Sequence, residues 1–374
     1  MILYPLEFFY KLCFIISRWL RRLKTLNHRF SFSIISVGNL TVGGTGKSVF
    51  VAFLARVLGE QESAIVLRGY KGTNEQKASS IIVSDGVTLL QNAKTAGDEA
   101  IMHAQSLKSV VVVGKNRARS CLLLEKLFGS KIRYALLDDA YQNYAVRKDL
   151  EILLVDARAP FDNGHCLPAG RLREKDYTRA DSIILTHADL VDAYELKKLH
   201  ALFFPTPVFN GAHAFDGLWL SNVIRVDTQA LGVKRFLLSA GVGSIGGVRA
   251  TAGQGGVHIA LEHNFANHHA YNSADITTLY DIVKVQKLDG IVITAKDWVK
   301  IEPLLGFVKR EQAPTFFVMR VVFEFLSEQE YDKFLLSVHK TLKVHLPHKK
   351  ESGCSSCLCV IFLLCYAHFL WGFI

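Results

Sequence analysis

Thr41-Val-Gly-Gly-Thr-Gly-Lys-Ser48 follows the apolar run Ile34–Val37 and opens the apolar stretch Ser48–Leu58. A strand, a glycine-rich loop and a helix in that order form the context of a phosphate-binding loop. Gly43, Gly44 and Gly46 let backbone N–H groups turn toward phosphate oxygens, and the helix N-terminus adds its dipole. Lys47 is placed to neutralise β- and γ-phosphate charge, and the Ser48 hydroxyl to ligate Mg²⁺. Thr41, Val42 and Thr45 complete the loop. Thr41 stands where the first glycine of the general pattern belongs, but the groups that perform the chemistry are intact.

Outward from this loop, short apolar runs alternate with helical stretches. Strands are expected at Ser33–Val37, Ala64–Leu67, Ser109–Val113, Tyr134–Leu137, Glu151–Val155 and Ser182–Leu185, with helices such as Lys47–Leu58 and Asp98–Ser106 between them. Repeated β-α units call for a parallel sheet covered on both faces. Residues 206–230 read as a two-stranded connection with a turn near Asp216-Gly217. A second β-α run follows, with strands near Arg235–Ser239, Gly290–Thr294 and Thr315–Val318. The expected organisation is an N-terminal helix (1–30), a P-loop ATP-binding domain (31–205), a linker (206–230), a smaller α/β domain (231–345) and an apolar tail (346–374).

A phosphate loop needs a carboxylate for the metal at the end of a neighbouring strand. Tyr134–Leu137 runs into Asp138-Asp139, which fits that role, the alternative being a structural acidic pair. The guanine-reading Asn-Lys-x-Asp pattern is absent, and Thr294-Ala-Lys-Asp297 has the wrong spacing, so ATP is favoured over GTP. Polar residues fall where loops are expected: Arg68-Gly-Tyr70, Gly97-Asp-Glu99, Arg117, Leu167-Pro-Ala-Gly-Arg-Leu-Arg173 and Asn267-His-His269. Asp98 opens a helix and reads as a helix cap, while a histidine beside a carboxylate could instead position or tune a general base for a substrate hydroxyl. The histidines at 258, 263, 268 and 269 do not have metal-ligand spacing.

The chain has 374 residues, 50% of them hydrophobic and 21% charged, which excludes a disordered or collagen-like chain. Its net charge is +10. Lys11, Arg18, Arg21, Arg22, Lys24 and Arg29 supply much of that excess near the N-terminus, against the single acid Glu7. Elsewhere no long basic block occurs, so a nucleic-acid groove is not favoured. Leu6, Phe9, Cys13, Ile16, Leu20 and Leu23 recur at helical spacing, with Lys11, Arg18 and Arg22 on another face. The pattern is an amphipathic helix lying in an anionic membrane interface, or one packed on its own domain. No uncharged run within it is long enough to span a bilayer.

Cys13, Cys121 and Cys166 are scattered singly, as in a reduced compartment. Cys354, Cys357, Cys359 and Cys365 crowd the tail and lack a second pair at zinc spacing, so they read as small apolar residues. Ser352–Ile374 carries no formal charge; it reads as a tail anchor, an interfacial segment or a poorly ordered extension.

Taken in order, these motifs resemble the lipid A disaccharide kinases (tetraacyldisaccharide 4′-kinases) of Gram-negative bacteria. The stretches that carry the resemblance are Ser36-Val-Gly-Asn-Leu-Thr-Val-Gly-Gly-Thr-Gly-Lys-Ser48, Leu67-Arg-Gly-Tyr70, Gly97-Asp-Glu99, Leu137-Asp-Asp139, Asn163-Gly164 with Leu167-Pro-Ala-Gly170, Ala240-Gly-Val-Gly243, Phe265 with His268-His269, and Thr294-Ala-Lys-Asp297. Thr41 in the phosphate loop is itself what that family looks like.

The resemblance implies a P-loop domain and a smaller α/β domain joined by a two-stranded ribbon. It implies transfer of the γ-phosphate of ATP to the 4′-hydroxyl of an acylated glucosamine disaccharide 1-phosphate, giving lipid IVA, at the cytoplasmic face of the inner membrane. Asp98 would accept the hydroxyl proton, His268 would orient it, and Ser48, Asp138 and Asp139 would serve Mg²⁺. Arg117 and Arg171 are weaker candidates for substrate phosphate or transition-state charge. No obligate protein partner is evident. Ala140, Asn143, Asn267 and Asn116 depart from the family pattern around these residues. The competing readings are another P-loop ATPase or ligase, and a nucleotide-gated membrane-binding protein without transfer activity.

Overall fold

The computed structural model describes residues 3–342 except 24, 78, 242–244, 267, 268 and 308–313. His268, Asn267 and the apolar tail with its four cysteines lie outside the described residues. In chain order the first half contains α1 (Leu3–Leu23), β1 (Ser33–Asn39), α2 (Lys47–Leu58), β2 (Ser63–Leu67), β3 (Ile81–Asp85), α3 (Ala93–Ala96), α4 (Asp98–Ser106), β4 (Val110–Val113), α5 (Arg117–Phe128), β5 (Tyr134–Asp138), β6 (Leu150–Asp156), β7 (Ser182–Thr186) and α6 (Ala193–Phe203). The second half adds β8 (Val208–Leu220), β9 (Ile224–Val226), β10 (Phe236–Ala240), α7 (Ile245–Gln254), β11 (Ile259–Asn264), α8 (Ser273–Val285), β12 (Gly290–Thr294), α9 (Ala295–Ile301), β13 (Phe316–Phe325) and α10 (Glu328–Leu342).

The strands form one sheet in the order β11-β10-β12-β13-β8-β7-β6-β1-β5-β2-β4-β3, with β9 pairing β8 off that path. From β7 to β4 every pairing is parallel, as the β-α repeat demands. These strands are buried on both faces, and that is why they read as unbroken apolar runs such as Val110-Val-Val-Val113. One face packs Ile34, Val66, Val112, Ala135 and Leu137 against Cys121 and Leu124 of α5. The other packs Leu153, Val155, Ile183 and Leu185 against Leu199 and Phe203 of α6.

β8 joins the two halves. Its start, Val208–Asn210, pairs parallel with β7, and Gly211–Leu220 then pairs antiparallel with β13. The turn expected at Asp216-Gly217 is instead a bulge within this strand. Phe215 and Gly217 face consecutive residues Val321 and Arg320, so Asp216 is skipped in the register, and Gly217 has φ +140. β13 supplies backbone partners on both sides of the bulge, so one extra residue bends the strand without reversing it. The reversal comes later, at Ser221 and Asn222, both at positive φ, and leads into the short β9. Residues 206–230 thus hold a short antiparallel hairpin of β8 and β9 that turns at Ser221-Asn222, and β8 also pairs along most of its length with β13.

α10, expected with the second half, returns to the first. Ser337 Oγ lies 3.2 Å from Ser182 Oγ of β7, and the Phe334 ring is 5.5 Å from Phe209. β13 also holds the phosphate loop's helix. Phe50 and Phe53 of α2 meet Phe323 with ring centroids 4.9 and 5.2 Å apart. Such edge-to-face pairs add to simple burial and fix the axis of α2.

α1 is inverted relative to an ordinary surface helix. Several of its polar residues meet the protein. Glu7 is 4% exposed and accepts from Cys166 N at 2.9 Å. Arg18 pairs with Asp176 at 2.8 Å, and Arg22 lies over the Tyr144 ring. Leu6, Phe9, Ile16, Leu20 and Leu23, the stripe seen in the sequence, are exposed, as are Phe8, Leu12, Ile15 and Trp19. Among the described residues no helix is long and apolar enough to cross a membrane. Cys13, Cys121 and Cys166 are free thiols.

Candidate functional site

The predicted site residues of the first half gather at the carboxyl ends of the parallel strands. β1 ends at Asn39, and the phosphate loop carries the chain into α2, which starts at Lys47. Gly46 caps that helix in the left-handed region, φ 74, with the His213 imidazole pressed against its Cα so that no Cβ fits. Only glycine meets both demands. Burial and the neighbouring His187 pull the His213 pKa down to about 4, so this ring is neutral at pH 7.

The rest of the loop is held from one side. Thr41 bridges to Leu172, Val42 N donates to the Arg171 carbonyl at 2.7 Å, and Arg171 Nε and Nη2 donate to the Val42 carbonyl at 3.1 and 2.8 Å. Arg171 thus lies over Gly43, with its guanidinium on the rim of the phosphate cradle.

β5 brings the acidic pair beside the loop. Ser48 Oγ donates to Asp138 Oδ2 at 3.4 Å, and Lys47 Nζ lies 3.5 Å from Asp139 Oδ1. Asp138 is buried, and its Oδ1 has no hydrogen-bond partner among the described residues. Asp139 sits at φ 49 and also binds Arg173 Nη1 at 2.9 Å. Desolvation favours its neutral form, but Lys47 and Arg173 outweigh this and hold the carboxyl at about 2. A hydroxyl and two carboxylates within reach of one another are hard oxygen donors of the kind Mg²⁺ takes.

Arg117 faces inward. Its Nη1 donates to the Gly114 carbonyl and its Nη2 to the Asp138 carbonyl, at 2.9 and 3.0 Å. Burial lowers its pKa to about 10, while Asp138 and Asp139 work to raise it. It braces the strand end that carries the acidic pair. Asn116 caps α5 through Ala118 N and Arg119 N, Ala140 fills a core position, and the Asn143 side chain accepts from Ala145 N.

Asp98 is 8% exposed and is the first residue of α4; the cap position belongs to Gly97. A Cβ at Gly97 would strike the Tyr70 carbonyl, so the Arg68-Gly-Tyr70 and Gly97-Asp-Glu99 motifs are two loops in backbone contact. Glu99 is held below its ordinary pKa against the cost of burial by Lys296 and, more weakly, by Lys47, so the head of α4 lies between the phosphate loop and α9. Asp98 Oδ2 is 3.8 Å from Lys300 Nζ. His269, next to His268 in the sequence, donates from Nε2 to Asp275 Oδ2 at 2.9 Å and stacks on Phe265.

Sequence reading missed several residues. His103, fully buried one turn along α4, has Nε2 3.8 Å from Asp138 Oδ2. Its signal was helical spacing from Asp98 and Glu99. Arg173 was visible in a motif but without a partner. Lys300 lies four residues beyond Lys296 on one helix face.

Known proteins resemble this chain over most of its length. A family profile described as tetraacyldisaccharide-1-P 4′-kinase matches residues 1–340. A tetraacyldisaccharide 4′-kinase of Desulfatibacillum aliphaticivorans is 33% identical over 318 residues, covering 81% of this chain and 83% of the relative. One from Elusimicrobium minutum is 30% identical and covers 94% of each chain. Among solved structures, an "apo"-form LpxK from Aquifex aeolicus in complex with ATP superposes with a TM-score of 0.69 at 25% identity, covering 90% of this chain and 97% of that one.

Proposed function

This chain belongs to the tetraacyldisaccharide-1-P 4′-kinase family, and from that premise we propose how its residues divide the work. The enzyme is an ATP-dependent lipid A disaccharide kinase: it moves the γ-phosphate of ATP to the 4′-hydroxyl of tetraacyldisaccharide 1-phosphate, forming lipid IVA.

Phosphoryl transfer needs positioning and charge stabilisation more than covalent chemistry. Residues 41–48 wrap the phosphates with backbone N–H groups, Lys47 neutralises the β- and γ-oxygens, and Arg171 adds charge from the rim. Ser48, Asp138 and Asp139 would hold Mg²⁺; Asp138 Oδ1, without a partner among the described residues on a carboxylate that accepts from the Ser48 hydroxyl, supports this. A Mg²⁺ held there would supply neutralisation of the phosphate charge. Asp98 takes the proton of the 4′-hydroxyl, and His268 is assigned as the group that orients it, on the sequence motif alone. The observation that carries the reading is the contact of Lys47 and Ser48 with the Asp138-Asp139 pair.

The acceptor lies in a membrane, and α1 gives the enzyme a surface for one. A helix that turns Glu7 and Arg18 to the protein and exposes nine large apolar residues, with Arg21 and Arg22 exposed in its last turn, suits an anionic interface. We place the protein at the cytoplasmic face of the inner membrane on this basis.

Transfer of labelled γ-phosphate to tetraacyldisaccharide 1-phosphate in mixed micelles tests the assignment. Asp98→Ala should lower turnover by about 10²- to 10⁴-fold while ATP affinity holds. Unimpaired transfer by that variant removes Asp98 as the base. No transfer by the wild type overturns the activity.

A further inference from the structure

The candidate base is gripped from the other half of the molecule. α9 lies along α4, and three polar contacts join them: Lys296 Nζ to Glu99 Oε1 at 2.9 Å, Gln105 Nε2 to Glu302 Oε2 at 3.1 Å just past the end of α9, and Lys300 Nζ to Asp98 Oδ2 at 3.8 Å. Lys300 also lies 3.1 Å from Asp297 Oδ1 and over the Tyr271 ring at 5.2 Å. Its ammonium is buried. Asp297 is fully buried, and its Oδ2 is pinned by Gly241 N at 3.0 Å and Thr294 Oγ1 at 2.7 Å. Those two donors sit at the ends of β10 and β12, so Asp297 cannot follow its lysine. A buried ammonium fixed to one immobile carboxylate has a defined second direction, and along it stands Asp98.

We propose that Lys300 is a positioning residue for phosphoryl transfer: anchored on Asp297, it sets the Asp98 carboxylate toward the acceptor hydroxyl, while Lys296 steadies Glu99 beside it. The inference rests on the reading of Asp98 as the base. It gives the Thr294–Lys300 segment, whose Asp297, Trp298 and Val299 are buried, a part in the reaction. A reacting group displaced by about 1 Å costs about a hundredfold in rate, so the grip is worth having even though Lys300 meets no substrate.

The test compares Lys300→Met and Lys300→Arg in the wild-type and Asp98→Asn backgrounds, with labelled ATP and tetraacyldisaccharide 1-phosphate in mixed micelles. Lys300→Met should lower kcat about ten- to a hundredfold and leave both KM values within about threefold, and Lys300→Arg should restore most of the loss. In the Asp98→Asn background Lys300→Met should cost nothing further, because the group it positions is gone. Should Lys300→Met not fold, Lys300→Gln replaces it with the same expectation, since it keeps a donor toward Asp297.

A kcat within about twofold of wild type, or losses that multiply in the double variant, overturns the inference. An inactive Asp98→Asn beside an unaffected Lys300→Met removes the positioning role alone. A fully active Asp98→Asn removes the base assignment and this inference with it.

Discussion

Replacing the outward stripe of α1 is the most direct test of what that helix does. Phe8, Ile15 and Trp19 stand on one face and are 66%, 62% and 61% exposed. Complete burial of such a side chain is worth about 1.5–3 kcal/mol, so the share still open to water is about 1–2 kcal/mol each. The triple variant Phe8→Ser, Ile15→Ser, Trp19→Ser therefore forfeits about 3–5 kcal/mol of membrane partitioning. At 1.4 kcal/mol per decade, that is about a hundred- to a few thousandfold fall in the partition coefficient. Co-sedimentation with vesicles rich in anionic phospholipid measures it. ATP binding and thermal stability should hold, because the anchoring contacts of Glu7, Arg18 and Arg22 lie on the opposite side. Unchanged vesicle binding, or a melting temperature lowered by several degrees, would show that this face packs against protein and would refute the membrane reading.

Lys47→Ala should abolish nearly all turnover, since the charge it supplies is what the reaction depends on; near-normal rates in the phosphate-transfer assay would overturn the loop's role. Gly46→Ala forces a Cβ into the left-handed region and against the His213 ring, so ATP affinity should fall by about tenfold or more, with His213→Ala restoring part of it in equilibrium binding. Phe323→Ala removes the ring that meets Phe50, Phe53 and Phe325 and should cost about 3–5 kcal/mol in urea unfolding; a cost below about 1 kcal/mol would mean β13 does not hold α2. The hydrogen bonds from Lys11 and Cys166 N lower the Glu7 pKa from 4.5 to about 2. The docking it contributes is then present above pH 4.5 and is lost as pH falls toward 2, so α1 attachment, followed by Trp19 fluorescence, should weaken in wild type as pH falls below 4.5 and be weakened already at neutral pH in Glu7→Gln.

The parallel core was readable because its strands are buried on both faces and flanked by loops that must bind phosphate. Lys47–Leu58 and Asp98–Ser106 start and stop where their apolar spacing and glycines place them. Two strands escaped notice for a common reason. β3 and β11 are edge strands with mixed burial, and an edge asks little of its sequence. The bulge at Asp216 was mistaken for a turn because Asp-Gly satisfies both, and only the presence of β13 across the strand decides between them. In the site, the residue types were legible but their directions were not. Arg117 was recognisable as a loop arginine, yet its donors go to backbone carbonyls beneath Asp138, which depends on the packing of α5. Lys300 was hidden because the partner that gives it a role, Asp98, comes from α4, far away in sequence. α1 showed its amphipathic pattern plainly, but not which side faces the protein. The clue was Glu7, the one acid in a basic helix, since a lone carboxylate in such a place needs a buried donor to explain it.

The segment 162–173 ties that helix to the chemistry. It contains no regular strand or helix, so its backbone groups must be satisfied by whatever surrounds them. On one side are α1 groups: Glu7 accepts from Cys166 N, and Tyr10 Oη donates to the Arg173 carbonyl at 3.1 Å. On the other are the phosphate loop and the acidic pair: Arg173 N donates to the Leu40 carbonyl at 2.7 Å, Arg171 exchanges hydrogen bonds with Val42, and Arg173 Nη1 holds Asp139. Arg173 carries both connections, through its carbonyl to α1 and through its side chain to Asp139. The segment is thus too short to move at one edge and stay fixed at the other. On the membrane reading, the plane in which α1 lies and the orientation of the phosphate cradle are set by one group of hydrogen bonds. An enzyme whose nucleotide comes from water and whose acceptor comes from lipid needs that relation to be fixed, because an error of about 1 Å between them would cost most of the rate.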